Sequence, residues 1–419
     1  MTQREIFRAA LNHQNAGKVP LDLDSTVVSG LHINCVNDLR DYYGLEKRPV
    51  KLYEPYQMLG LVEEDLAQAM GVSVTGVKNR KTLFGFEASG WKEYKLPSGM
   101  EALVPGGFNL TSDAAGNSYL HPDGDISAPP SGRMPKGGYY FDAIIRQEPL
   151  DEVNLNVQDN LEEFNPASDE DIEYQKSALK EANASGRGVV TGFGGMGLGD
   201  IALVPATQLK HPKGVRDVEE WYIFIASQQE YVREIFERQT EIAIENLKTY
   251  HKAVGEALDV IFICGTDFGT QTSTFCSKET FRSLYMPYYR KMNDWIHQNT
   301  GWKTFKHSCG AIADFIPLFI ESGFDILNPV QCSCAGMEPD KIKREYGRDI
   351  VFWGGGVDTQ QLLPFGKPPE IREQVLSRME IFSKDGGFVM GAIHNIQSGT
   401  PVKNIVAMLD AVKEFNGYM

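Results

Sequence analysis

A (β/α)8 barrel of the α/β class is the architecture the sequence predicts, from three features of its patterning. Eight short apolar runs recur along the 419 residues. Amphipathic helical stretches separate most of them, and polar residues gather at their C-terminal ends. A doubly wound open sheet shares the alternation, but a barrel collects every one of those strand ends on a single rim.

The chain opens with "MTQREIFRAALNHQ", an amphipathic helix whose Thr2-x-x-Glu5 reads as a capping box. The stretch lacks the uninterrupted apolar core of a signal peptide. Strands are then expected at "KVPLDLD" (18–24) and "GVSVTGV" (71–77). The rhythm breaks after the second strand. Residues 82–150 alternate extended runs with Ser-Gly, Gly-Asn and Asp-Gly turn signals, which predicts a hairpin-rich insertion. An acidic linker and a helix follow over 150–185. A connection this long inside one domain (1–419) is expected to serve as a lid or partner surface. Tyr139, Tyr140 and Phe141 are its candidate pocket or packing aromatics, and Tyr139 is taken as a substrate-binding candidate.

Six further strands are expected at 186–193, 258–267, 303–309, 324–331, 349–356 and 387–395. Long helical patterns occupy 217–257 and 277–299. In the latter, Phe281, Leu284, Tyr285, Tyr288, Met292 and Trp295 recur at helical spacing, as core-facing residues do. Asp22, Asp24, Asp267, His307, Cys309, Gln331, Asp358 and His394 all fall at or just past a strand end. Gly192-x-Gly194-x-x-Gly197 has the form of a dinucleotide fingerprint, but Pro205 and Pro212 interrupt the helix that should follow, so close approach of a large planar cofactor to the backbone, or equally tight strand-to-loop turns, explain it better.

Composition excludes several classes. A net charge of −15 disfavours general binding to nucleic acid or anionic membranes. No window approaches the roughly 18 apolar residues of a spanning helix. Six cysteines in a chain this long are too sparse for a disulfide scaffold. A cytoplasmic protein with reduced thiols, possible homodimer included, is the expectation.

The chemistry concentrates in "WKTFKHSCGAIADF" (302–315). Side chains alternate along a strand, so His307 and Cys309 face the same way, roughly 7 Å apart along the backbone. Imidazole and thiolate together suit zinc, a borderline-soft cation. A buried histidine beside an inert cysteine has the same residue types. Cys332 and Cys334 follow the next strand, and His394 ends the last one, so either could complete a ligand set. Three protein ligands leave an open catalytic position, whereas four close a structural site. Asp267 is placed to act as acid, base or partner to a ligating histidine, or to cap its loop. Gln331 and Asp358 are further rim candidates for substrate.

Several stretches resemble the uroporphyrinogen decarboxylase superfamily: "LNHQNAGKVPLDL", "GTDFGTQ" (265–271), "HSCG" (307–310), "GFDILNPVQ" (323–331), "FWGGGVDTQQLLPFG" (352–366) and "IHNIQSGTPVKNIVAM" (393–408). The resemblance runs over nearly the whole chain and is most specific over 258–410. It implies a (β/α)8 barrel and one of two chemistries: metal-free decarboxylation of a tetrapyrrole, or zinc-dependent methyl transfer to or from a corrinoid (cobalamin) protein. The decarboxylases carry an arginine-rich segment after the first strand. Here "DLDSTVVSGLHINCVNDLR" has no arginine before Arg40, so a polycarboxylate would find no guanidinium fork.

The resemblance to the methyltransferase branch implies zinc at His307 and Cys309. The third ligand of that branch is a cysteine just before a "TP-x-x-NI" segment. Anchored on "TPVKNI" (400–405), that place holds His394, with Cys334 as the alternative. A histidine there makes the site less electron-rich and less negative, which favours demethylation of a methoxy, methylthio or methylamine donor over activation of a thiol acceptor. His394 also stands where the decarboxylases keep a histidine. A metal-free carboxy-lyase using Asp267 and His394 is therefore the competing expectation.

Overall fold

The structure, a computed structural model, describes residues 1–418 except 152, 194 and 195. Gly194 of the glycine-rich fingerprint therefore lies outside the described residues.

Seven parallel strands pair in the order Phe388–Val389, Val351–Trp353, Ile326–Asn328, Lys303–His307, Val260–Cys264, Gly188–Thr191 and Val74–Gly76. Residues 20–22 supply the missing stave. On one side Met390 N–H donates to the Pro20 carbonyl and Asp22 N–H to the Met390 carbonyl, each at 2.8 Å. On the other, Ser73 N–H donates to the Leu21 carbonyl at 2.8 Å. The sheet thus closes on itself, as a parallel barrel must to leave no edge.

The barrel is filled rather than hollow. Val190, Val260, Phe305, Ile326, Val351, Trp353 and Val389 pack together inside it with Phe7 from the N-terminal helix Gln3–Leu11. The Trp353 ring lies 5.1 Å from Phe305 and 5.4 Å from Phe7. A side chain at Gly188 would collide with the Phe7 ring, so the helix plugs the N-terminal end only because that position is bare. Strand alternation then has a direct consequence for function. Phe305 points inward, so His307 points inward one layer higher, at the C-terminal mouth. Lys306, between them, points out into the helical layer.

The helices follow the sequence pattern with two refinements. The 217–257 pattern breaks at Gln228 into Val218–Ser227 and Gln229–Val254. The 277–299 helix contains a wider turn over Phe281–Tyr285 before Met286–Asn299. The acidic segment contains the helix Asp169–Ala184, which opens on a Ser168 capping box.

Within 82–150, Lys92–Lys95 and Glu101–Val104 form one hairpin, while Leu110–Ser112, Ser118–Leu120, Gly132–Met134 and Asp142–Ala143 form an antiparallel meander. Its interior is aromatic, with the Phe141 ring 6.2 Å from Phe84 and 6.4 Å from Phe108. Packing explains Phe141, whereas Tyr139 and Tyr140 are exposed. One strand escapes the sequence reading. Val50–Glu54 pairs in parallel with Glu101–Val104 and antiparallel with Leu59–Gly60, tying the insertion to the loop after the first stave. Its five residues, "VKLYE", carry too little periodicity to stand out alone.

Candidate metal centre

The mouth of the barrel brings His307, Cys309 and His394 together: one candidate ligand atom from each lies within 4.8 Å of the others. His307 closes its strand and Cys309 sits two residues further, where the chain turns away from the sheet. His394 comes from the loop after Phe388–Val389. Cys309 Sγ is 3.4 Å from His307 Nε2. The two imidazoles meet edge to face, with centroids 5.4 Å apart at 74°.

Neighbouring strands determine which nitrogen each imidazole presents. Asn328, on the adjacent strand, donates from Nδ2 to the Trp353 carbonyl at 3.0 Å, so its Oδ1 is the acceptor that faces His307 Nδ1 at 2.7 Å. His307 must therefore carry its proton on Nδ1, leaving the Nε2 lone pair toward Cys309. Burial holds the His307 imidazole down to about 4, so it is neutral near pH 7. His394 is also held down to about 4, by burial and then by His307. Its Nδ1, however, accepts the Asn395 N–H at 2.8 Å. In the metal-free arrangement His394 therefore carries its proton on Nε2, and binding a cation there requires the opposite tautomer.

Asn395 anchors that loop. Its Oδ1 accepts from Gly30 N–H at 2.6 Å, and its Nδ2 donates to the Val27 carbonyl at 2.8 Å and to Gln57 Oε1 at 2.7 Å. Gln57 N–H in turn donates to Glu54 at 2.8 Å. The unpredicted strand Val50–Glu54 thus supports the ligand loop.

Asp267 stands beside the cluster. Its Oδ1 accepts the Cys309 N–H at 2.6 Å and lies 3.9 Å from His307 Nε2. Burial pushes its carboxyl up. Burial, then the Asp267 charge, also pushes the Cys309 thiol well up, so a thiolate there calls for a neighbouring cation. One sulfur and two nitrogens converging on one point, with His307 already in the ligating tautomer, fit zinc chemically.

The other candidates are occupied elsewhere. Cys334 Sγ donates to Gln271 Oε1 at 3.2 Å and stays outside the cluster. Cys332 Sγ donates to the Val330 carbonyl at 3.4 Å. Gln331 Oε1 accepts Gly310 N–H at 2.8 Å and so shapes the turn after Cys309. Asp358 caps its own loop, accepting from Gln360 N–H at 2.7 Å. The Tyr139 carbonyl accepts from His32 Nε2 at 2.9 Å while its ring is exposed. Asp24 pairs with Lys78 at 2.8 Å and accepts from Tyr53 at 2.9 Å. Asp22 accepts from Trp353 Nε1 at 2.8 Å below the mouth. Asn328 and Asn395 went unremarked in the sequence. The available signal was a polar residue at the end of the neighbouring strand and another next to a candidate ligand.

Residues 152–415, more than half of the chain, match uroporphyrinogen decarboxylase (URO-D). The chain belongs to that family. It is also 27% identical over 144 residues to a methylated-thiol–coenzyme M methyltransferase of Methanosarcina mazei. That stretch spans 34% of this chain and 35% of the relative, about a third of each. A solved methyltransferase from Methanosarcina mazei superposes with a TM-score of 0.53, covering 99% of both chains at 14% identity, which establishes the shared barrel fold. No helix among the described residues is long and apolar enough to cross a membrane.

Proposed function

We propose that the chain is a zinc-dependent methyltransferase that moves a methyl group between a small methylated substrate and a corrinoid protein. The observation that carries this reading is the cluster of His307, Cys309 and His394 within 4.8 Å at the barrel mouth, in a family with a named methylated-thiol methyltransferase relative. The donor is of methoxy, methylthio or methylamine type, and the direction is demethylation. Two imidazoles and one thiolate leave a zinc site with more positive charge than one imidazole and two thiolates, which favours polarising a donor over activating a thiol.

When bound, zinc would withdraw electron density from the heteroatom that carries the methyl group, improving it as a leaving group. The chain's own residues prepare for this. Asn328 holds the His307 lone pair toward the ligand cluster. Asp267 fixes the Cys309 backbone by accepting its N–H. Gln331 fixes Gly310 behind it and retains an amide N–H toward Gln360 at 3.4 Å, a contact weak enough to yield to substrate. Asn395 would keep the His394 loop within reach of a bound cation. The exposed rim, including Tyr139 and the hairpin insertion, is the surface on which a corrinoid carrier would dock.

One observation favours a second reading. His394 carries its proton on Nε2 and feels the charge of Asp267, whose carboxyl burial raises. That pair resembles a proton-transfer site of a metal-free carboxy-lyase. Metal analysis and methyl transfer to cob(I)alamin, in wild type and His307→Ala, separate the two. Zinc near one equivalent, lost together with activity in the variant, supports methyl transfer. A zinc-free wild type that is insensitive to chelators overturns it.

A further inference from the structure

Asp200 lies on the turn after strand Gly188–Thr191. Its Oδ2 packs so closely on Gly265 that a Cβ there would fall 2.6 Å from it. The Thr266 hydroxyl donates to the Leu198 carbonyl at 2.6 Å. The turn carrying Asp200 is thus laid along the segment that ends in Asp267. Asp200 Oδ1 accepts the Ala202 N–H at 3.0 Å. The buried Lys306 does not pair with it: that ammonium donates to the Thr266 and His307 carbonyls, each at 2.5 Å. Burial pushes the Asp200 carboxyl up to about 6, with the Asp267 charge adding to the effect and Lys306 opposing it. The Tyr222 hydroxyl, whose titration Asp267 and Asp200 both influence, is buried without a partner among the described residues.

On its other side Asp200 borders a crevice of about 30 Å³, walled by Gly199, Trp221, Phe236 and the Arg216–Glu163 ion pair. Trp221 is 3% exposed and its Nε1–H has no hydrogen-bond partner among the described residues. Gly199, at φ +62°, leaves the space open: a Cβ there would sit 3.4 Å from Trp221 Nε1 and 3.2 Å from the Tyr285 hydroxyl. Buried donors are nearly always satisfied. A space of this size, lined by an indole N–H, a carboxyl and the Asn160 side-chain amide, has room and partners for one or two waters.

We propose that this crevice is a water site serving Asp200, and that Asp200 supplies the proton required by the heteroatom from which the methyl group departs. The second half rests on the demethylating reading above. In a methyl ether, the oxygen–methyl bond breaks with its electron pair left on oxygen. The methyl carbon bonds through an electron pair supplied by the nucleophile of the corrinoid partner. The resulting oxyanion takes the proton from the Asp200 carboxyl, and the carboxylate regains one through the crevice waters. A partner docked over the mouth closes the direct route from solvent, so a route through the wall has a purpose.

The first test needs neither metal nor partner. Infrared titration of the metal-free chain should show a carboxyl carbonyl band with a midpoint near 6 that is absent in Asp200→Asn. Identical wild-type and variant titrations overturn the proposal. Trp221→Phe removes the donor to the waters and should shift that midpoint; an unchanged midpoint overturns the water site. The second test uses two probe donors, an alkyl methyl ether and an aryl methyl ether, with cob(I)alamin as acceptor. Loss of a proton donor should slow the alkyl ether by about 100-fold or more and the aryl ether, whose phenolate leaves more easily, far less. Equal losses on both donors overturn the role of Asp200. Wild type that transfers no methyl group, with the infrared band present, instead overturns the demethylation reading and with it Asp200's catalytic use, leaving the water site standing.

Discussion

Asn328→Leu is the sharpest perturbation of the proposed metal centre, because it touches no ligand and changes one hydrogen-bond acceptor. Asn328 is 2% exposed and makes two side-chain hydrogen bonds, at 2.7 Å with His307 and at 3.0 Å with the Trp353 carbonyl. Leucine keeps the branched outline, though it is larger, and leaves a buried imidazole N–H and a buried carbonyl without partners. At about 1–3 kcal/mol for each unsatisfied group, the metal-free protein should lose about 2–6 kcal/mol of stability. The metal effect is separate. Losing the partner that orients a ligating histidine typically weakens metal binding about 10–100-fold, or about 1.4–2.7 kcal/mol. Competition against a chromophoric chelator measures the affinity, and thermal unfolding with and without zinc measures both quantities. Asn328→Asp is the control: it keeps an acceptor for His307 Nδ1 and loses only the donor to Trp353, so zinc binding should survive. If Asn328→Leu folds and binds zinc as tightly as wild type, His307 is not held in a ligating tautomer by its neighbour, and the reasoning fails.

Three other outcomes follow from the same geometry. Cys334→Ser should leave zinc stoichiometry unchanged whereas His394→Ala should reduce it, since Cys334 bonds Gln271 outside the cluster; metal analysis of both variants decides. Glu54 is buried, and burial pushes its carboxyl up to about 7 from the ordinary 4.5. Its folded form holds the proton more tightly than the unfolded chain, so its stabilisation is full below 4.5 and is lost as pH rises through 7. Glu54→Gln removes that loss: its stability relative to wild type should rise by up to about 3 kcal/mol across this window, at about 1.4 kcal/mol per unit, in pH-dependent denaturant melts. Arg216 and Glu163 pair at 2.7 Å with side-chain exposures of 1% and 8%. Glu163→Gln leaves the buried guanidinium with only the more distant and more exposed Glu162, 3.7 Å away, and should cost up to about 3–5 kcal/mol in the same melts.

The barrel itself was legible because its signals are local. Apolar runs such as "VIFIC" and "VFW" are buried on both faces, so their composition does not depend on partners far away in sequence. The first stave was legible as "KVPLDLD", although in the fold it is bound to one neighbour through an isolated bridge and to the other through the Ser73 N–H to Leu21 carbonyl bond rather than a regular ladder. Val50–Glu54 was missed because its pairing partners, 101–104 and 59–60, give it strand structure that five residues do not announce. The grouping of Gln331 and Asp358 with His307 as rim candidates followed from strand ends alone. Strand ends set height on the barrel, but not whether a side chain is already spent on a turn, as Asp358 is on Gln360.

From the sequence came the alternation that builds the barrel, the expectation that His307 and Cys309 face the same way, and, through the family resemblance, the mismatch that puts His394 where a cysteine was expected. Those properties are periodic or adjacent in the chain, and periodicity survives without knowledge of the third dimension. Convergence of His394 with the pair, the exclusion of Cys334, the tautomers imposed by Asn328 and Asn395, and the crevice behind Asp200 emerged only once the sheet had closed. Each is a relation of a few ångströms between segments tens to hundreds of residues apart, and hydrogen-bond geometry at that scale is set by how strands register against one another rather than by any single strand.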